Sequence, residues 1–423
     1  MDKALLGCIA DDFTGATDLA NNLVRTGMRV IQTIGVPTGP IDLAADAVVV
    51  ALKSRTLPVT QAVDESLHAL KWLKDLGAGQ IYFKYCSTFD STSKGNIGPV
   101  TDALMEALGT NFTIACPAFP ENGRAVFKGH LFVGDDLLHE SGMRHHPLTP
   151  MTDSNLVRVL QEQTRHKVGL IDFHTVSQGA DAITKKIASL KTNGVSIAIV
   201  DAVTNEDLIA MGPALTKLPL LTAGSGVAIG LRPIKDTKNL EGAAQLPKAS
   251  GFRAIISGSC SAATNEQVAH YLSTGGIAFA VDPLQLAQGH DVVAEALNWA
   301  VSHLSREPVL IYATAEPAAV KAAQLQLGVQ HAGEIVEDAL ARIAKGLVHF
   351  GVRQLIVAGG ETSGACVQAL SIESLRIGPQ IAPGVPWCHA ASEDAPQSGL
   401  HIALKSGNFG SIDFFTNAFR ILY

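Results

Sequence analysis

Short apolar runs alternate with longer amphipathic stretches along most of this chain. Leu5–Ala10 and Val30–Ile34 read as strands flanking a helix, and Ala47–Leu52 as the next strand. Val59–Leu76 carries spaced leucines and stops at Gly77, as a helix does. Ile81–Lys84 and Phe112–Ala115 read as strands around a helix at Ile97–Leu108, and Val168–Ile171, Ser196–Val200 and Leu218–Thr222 continue the series. Alternating βα units of this length predict mainly parallel sheets covered on both faces. Residues 116–155 interrupt the pattern with many prolines and glycines, and so long a connection is expected to be functional.

Residues 232–250 are polar, contain two prolines and lack periodicity, which predicts a boundary. Beyond it, strands are expected at Arg253–Ser257, Ala278–Val281, Val309–Ala313, Leu355–Ala358 and Leu400–Lys405. Helices are expected at Ala262–Thr274, Val292–Leu304 and Gly333–Phe350, with a closing helix at Phe414–Leu422. The fold class is therefore α/β: two α/β domains, residues 1–240 and 241–423, with mainly parallel sheets and an interdomain cleft.

Composition narrows the function classes. The 423 residues are 47% hydrophobic and 17% charged with a net charge of −7, so the chain has ample core and no basic stripe for nucleic acid. No apolar run reaches the ~18–20 residues of a membrane span. MDKALLGCIADDF reaches acids too soon for an export signal. The six cysteines form no CxxC pair, so reduced thiols and a cytoplasmic location are expected. No GxxxxGK[ST] occurs.

Candidate chemistry collects at apparent strand ends, where open α/β sheets bind ligands. Asp11 and Asp12 follow the first strand in ADDFTGATD, with Gly15 read as a tight-turn residue and Thr17 or Asp18 as a helix cap. A polyol, metal or phosphoryl-transfer site fits these acids. Arg55, Lys84 and Arg124 lie at or just past strand ends, and arginine suits a carboxylate ligand. Three later turns combine small residues with helix starts, an arrangement suited to phosphate. They hold Ser257, Gly258 and Ser259; then Gly360, Glu361, Thr362, Ser363 and Gly364; then Gly407. All three are expected on one sheet edge. A fourth, Gly224–Gly230, has GxGxxxG spacing and lacks the context of a dinucleotide fingerprint. His145 and His146 have no third partner at metal-ligand spacing, and the metal ligands stay undetermined.

Together, ADDFTGATD, KYCSTFDSTSKGNIG, CPAFPENGR, HLFVGDDLL, GMRHHPLTPMTD, SGSCSAATNEQ, GGETSGACV and KSGNFG resemble the four-carbon acid sugar kinase family, and GMRHHPLTPMTD looks most like its 3-oxo-tetronate kinase branch. Phe13 stands where the family often has Leu, and Lys84–Gly95 replaces a KTDSTLRG-like run while keeping Lys84, Ser87, Thr88 and Gly95. The resemblance implies transfer of the ATP γ-phosphoryl group to the C4 hydroxyl of a four-carbon sugar acid. It implies an acid-binding N-terminal domain and an ATP-binding C-terminal domain, with Mg2+ accompanying ATP. Asp12, then Asp11, is the candidate base, with a hydrogen-bonding role for both as the alternative. Asp11, Asp12, Arg55, Lys84, Ser87 and Arg124 are the substrate-binding candidates. Threonate or erythronate as substrate, a non-catalytic sugar-acid binder and a dinucleotide oxidoreductase are the competing expectations. The expected partners are the sugar acid and ATP, with neither nucleic acid nor membrane, and a homodimer is left open.

Overall fold

The computed structural model describes residues 5–38, 45–89, 92–145, 149–231, 240–393, 395 and 399–422. The chain divides into two units, Met1–Ala244 and Gln245–Tyr423. Part of the 232–250 stretch expected as the boundary lies outside the described residues.

In the first unit the strands are β1 (Leu5–Ala10), β2 (Val30–Ile34), β3 (Ala47–Ala51), β4 (Ala78–Lys84), β5 (Thr113–Cys116), β6 (Arg124–Phe127), β7 (His130–Val133), β8 (Asp136–Leu137), β9 (Val168–Ile171), β10 (Ile197–Val200) and β11 (Leu220–Ala223). Eight of them form a parallel sheet in the order β2-β3-β1-β4-β11-β5-β10-β9. Burial on both faces explains why β3 reads as the unbroken apolar run AVVVA. Register places Ile34, Ala51, Ala10, Lys84 and Ala223 at one level. The segments that follow these residues therefore emerge along one edge.

The interrupted segment after Cys116 is not a structureless loop. It contains a small antiparallel sheet, β6-β7-β8. The β6–β7 hairpin turns through Lys128 (φ 53°) and Gly129 (φ 73°), both left-handed as a two-residue hairpin loop of the primed type requires. Lysine is costly there. The buried Asp201 carboxylate offsets the cost by accepting from Lys128 N at 2.7 Å, Gly129 N at 2.8 Å and Phe173 N at 2.8 Å.

In the second unit the strands are β12 (Phe252–Ser257), β13 (Ile277–Ala280), β14 (Val309–Tyr312), β15 (Val352–Ala358), β16 (Ser374–Ala382), β17 (Val385–Ala390) and β18 (Leu400–Lys405). Their order is β13-β14-β12-β15-β18-β17-β16. The first five run parallel, while β17 runs antiparallel to β18 and to β16. Pro379 and Pro386 disguise the β16–β17 hairpin in the sequence. The core packs Ile255, Leu310, Ile356, Trp387, Phe414 and Phe415 together. Trp387 Nε1 donates to the Ala418 carbonyl at 2.9 Å, which ties down the C-terminal segment. That segment is a short helix, Phe414–Asn417, followed by a 3-10 turn at Ala418–Leu422. Among the described residues no helix is long and apolar enough to cross a membrane.

Candidate active site

The helix after β1 starts earlier than its leucines suggest, at Phe13, and runs to Arg25. Its N-cap is Asp12, which accepts from Gly15 N at 3.0 Å and from Thr14 Oγ1 at 3.0 Å. Asp18 and Thr17 lie inside the helix, so neither caps it. Gly15 is a matter of room rather than of turning: a Cβ there would lie 2.0 Å from both Asp12 Oδ1 and Lys84 Nζ.

Four charged groups meet at this helix start. Arg55 Nε and Nη2 grip the two Asp11 oxygens at 2.9 and 2.8 Å, and Nη2 also lies 2.8 Å from Asp12 Oδ1. Lys84 Nζ, nearly fully buried at the end of β4, sits 3.7 Å from the same Asp12 oxygen. Burial opposes charge on Asp12, but Arg55, Lys84 and the Thr14 and Gly15 hydrogen bonds outweigh it and hold this carboxyl below the ordinary range. Burial pushes the Asp11 carboxyl up, against the pull of Arg55. Arg55 has its own support: Asn96 Nδ2 donates to the carbonyls of Ser54, Arg55 and Leu57 at 2.9, 3.0 and 3.0 Å.

Asp18 lies deeper in the helix and is 4% exposed. It accepts from Ser225 Oγ at 2.5 Å, while its Oδ1 is buried without a hydrogen-bond partner. Burial drives its carboxyl up to about 6, opposed by Lys84, the Ser225 hydrogen bond and Arg124. Ser225 opens the Gly224–Gly230 stretch, which forms a 3-10 turn rather than the βα turn of a dinucleotide site. Its work is packing: the Ser225 carbonyl accepts from Asn22 Nδ2 at 3.1 Å, and a Cβ on Gly226 would lie 2.2 Å from the Ala118 carbonyl oxygen. Arg124 opens β6, with its Nη1 donating to the Asn122 carbonyl. Ser87 is buried just beyond β4. Among the sequence candidates, Asp11, Asp12, Arg55 and Lys84 thus form one cluster, and the Arg124 charge is felt at Asp18. His146 lies outside the described residues.

The second unit brings its three turns together. Ser257, Ala358 and Lys405 end β12, β15 and β18 at one level. A Cβ on Gly258 would lie 2.2 Å from Thr362 Oγ1, and one on Gly407 would lie 2.4 Å from Ser259 Oγ. Glycine is therefore required at both positions for the turns to touch. The helix Gly360–Ala369 has Gly359 at its N-cap, with φ 127° and no side-chain cap. Its first-turn N–H groups and dipole face this edge, an arrangement that suits phosphate oxygens. Glu361, Thr362, Ser363 and Gly364 belong to that first turn and a half. Ser257 Oγ instead lies 2.6 Å from Thr314 Oγ1 and is fully buried.

Sequence reasoning passed over Lys405. It is wholly buried, and its ammonium donates to Thr264 Oγ1 and to the carbonyls of Ser406, Gly407 and Phe409 at 3.0–3.2 Å. Burial alone lowers it to about 7. The sequence shows a lysine ending an apolar strand, but its place beside the turns follows only from the register of the strands. Among the described residues, no group of three or more His, Cys, Asp or Glu side chains could hold a metal ion.

Comparison with known proteins agrees with this division. Residues 6–231 match a family model described as a sugar-binding N-terminal domain, and residues 254–415 match one described as a nucleotide-binding C-terminal domain. The chain is 58% identical to a 3-oxo-tetronate kinase of Burkholderia multivorans, over 99% of this chain and 98% of that one. It is 57% identical to a 3-oxo-tetronate kinase of Cupriavidus necator over the same shares. A crystal structure from Salmonella typhimurium LT2 is 44% identical, with 99% of each chain covered and a TM-score of 0.86. The chain belongs to the four-carbon acid sugar kinase family, whose members join a sugar-binding N-terminal domain to a nucleotide-binding C-terminal domain.

Proposed function

We propose that this chain is an ATP-dependent kinase that phosphorylates the C4 hydroxyl of 3-oxo-tetronate, giving 3-oxo-tetronate 4-phosphate and ADP. The observation that carries this reading is full-length similarity to curated 3-oxo-tetronate kinases at up to 58% identity. The geometry supports a division of labour, with the acid on the first unit and ATP on the second.

Phosphoryl transfer depends mainly on positioning and charge neutralisation. The bond between the γ-phosphorus and the bridging oxygen of ADP breaks as the bond to the substrate O4 forms. In this reading Asp12, kept ionised by Arg55 and Lys84, receives the hydroxyl proton. Asp11 orients Arg55 through its two-point ion pair. Arg55, Lys84 and Arg124 supply the positive charge that a sugar-acid carboxylate needs, and Ser87 contributes a hydroxyl. On the second unit, Gly258, Ser259, the start of the helix Gly360–Ala369 and Gly407 line the phosphates, while Mg2+ enters with ATP. Ser257, bonded to Thr314, supports that turn from beneath.

The test is ADP release from Mg·ATP with 3-oxo-tetronate, D-threonate and D-erythronate. The highest kcat/KM is expected with 3-oxo-tetronate. Release with none of the three acids defeats the kinase reading, and a preference for threonate or erythronate moves the chain to another branch of the family.

A further inference from the structure

A charged lysine deep in a protein is expensive unless an anion or a full set of acceptors compensates it. Among the described residues Lys405 has the acceptors and no anionic partner. Its Nζ reaches Gly407 O at 3.0 Å, Thr264 Oγ1 and Ser406 O at 3.1 Å and Phe409 O at 3.2 Å. The ring of Phe414 lies 6.0 Å away. Ionisable side chains on the surrounding elements are Glu266, His270 and Tyr271 on the helix Ala262–Ser273, Arg353 on β15, Glu361 and Cys366 on the next helix, Cys388 and His389 on β17, His401 on β18 itself and Asp413 before the C-terminal helix. Burial is the cause of the ammonium's lowered basicity.

The acceptors are unusual in their direction. The Gly407 carbonyl accepts from three donors: Ser261 Oγ at 2.7 Å, Thr264 Oγ1 at 2.8 Å and Lys405 Nζ. The Ser406 carbonyl accepts from the same ammonium. In a trans peptide the N–H points opposite to the C=O. Holding these two carbonyls inward therefore turns the N–H groups of Gly407 and Asn408 away from the lysine. Successive N–H groups presented in this way form an anion-binding concavity. Gly407 sits against Ser259, beside the start of the helix Gly360–Ala369.

We propose that Lys405 is a positioning residue of the nucleotide site: its buried ammonium fixes the Ser406–Phe409 turn, and the phosphates bound by that turn supply its counter-charge. This rests on the reading of the second unit as the ATP site. Lys405 itself touches no reacting atom. The bound phosphates favour its charged form, and free Lys405 is only partly charged near neutral pH. Nucleotide binding is then accompanied by proton uptake.

The experiment is calorimetric titration of the full chain with Mg·ADP at pH 7.5, in buffers of different ionisation enthalpy. It is run on wild type, Lys405→Met and Lys405→Arg. Wild type is expected to take up about half a proton or more beyond the Lys405→Arg background, because arginine stays charged throughout. Lys405→Met is expected to bind Mg·ADP at least about tenfold more weakly and to take up no excess proton. If Lys405→Met does not fold, as judged by circular dichroism, wild type against Lys405→Arg decides alone. Binding without excess uptake in wild type, or equal uptake in Lys405→Arg, overturns the role of Lys405 and leaves the ATP reading standing. No Mg·ADP binding by wild type overturns the ATP reading and this role with it.

Discussion

Asp18 offers a measurement in which the structure commits to both sign and size. Its carboxyl is 4% exposed, and burial raises it from 3.8 to about 6. A raised carboxyl means that the folded state holds the proton more tightly than the unfolded chain does. Below pH ~4 both states are protonated and Asp18 costs nothing. Between pH ~4 and about 6 the unfolded chain ionises while the folded carboxyl holds its proton, so the penalty grows to roughly 3 kcal/mol and levels off above that range. Asp18→Asn mimics the protonated form. Its amide oxygen can still accept from Ser225 Oγ, while its NH2 takes the place of the unpartnered Oδ1, at a pH-independent cost of about 1–3 kcal/mol. The informative quantity is therefore the change with pH of the stability difference between variant and wild type. Urea unfolding of both proteins from pH 3.5 to 8 should show the variant gaining roughly 3 kcal/mol on wild type across that range. A difference that stays flat within about 0.5 kcal/mol refutes the claim that burial governs Asp18.

Other predictions probe the remaining parts. Asp12→Asn keeps an N-cap acceptor for Gly15 and removes the charge facing Arg55 and Lys84, so kcat should fall by about 10²–10⁴ with little change in ATP affinity; an ADP-release assay within threefold of wild type removes Asp12 as the base. The same variant has a pH signature in unfolding experiments: the lowered Asp12 carboxyl contributes stability above pH ~4 that is lost as the pH falls through its folded value, so the deficit of the variant should shrink in acid. Gly258→Ala places a methyl 2.2 Å from Thr362 Oγ1 and should raise KM for ATP at least about tenfold, with partial recovery in the double variant carrying Thr362→Ala; equal KM values in steady-state kinetics contradict the close approach of these turns. Asn96→Ala removes the donor to three carbonyls around Arg55 and should cost about 1–2 kcal/mol. Its KM for the sugar acid should rise while that for ATP holds, and kinetics in which both rise together would count against a local effect.

Much of this was legible because parallel strands buried on both faces leave continuous apolar runs, and the candidate site residues follow where those runs stop. Asp11, Asp12, Ser259 and Gly407 could be placed on that basis alone. Asp18, Lys405 and Asn96 could not. Asp18 matters because a residue 207 positions away donates to it, and Asn96 because it reaches back across 39 to 42 positions. Neither link leaves a local pattern. Lys405 required the register that puts Ser257, Ala358 and Lys405 at one level. The β6–β7 hairpin was hidden because Lys128 is a poor advertisement for a left-handed turn, and only Asp201, far along the chain, makes it tenable.

The common level of strand ends in the first unit also says where the chain can tolerate added length. Moving one strand by a residue would carry its side chains to the opposite face and drag Asp11, Arg55 or Lys84 out of the cluster. The returning turns have no such constraint. Gly77, Gly109 and Gly194 each take a left-handed bend between a helix and the next strand, with open space around them. Reporter peptides, affinity handles or a new chain terminus grafted at those bends would leave the register untouched. The same sheet is thus rigid in sequence length along one rim and permissive along the other.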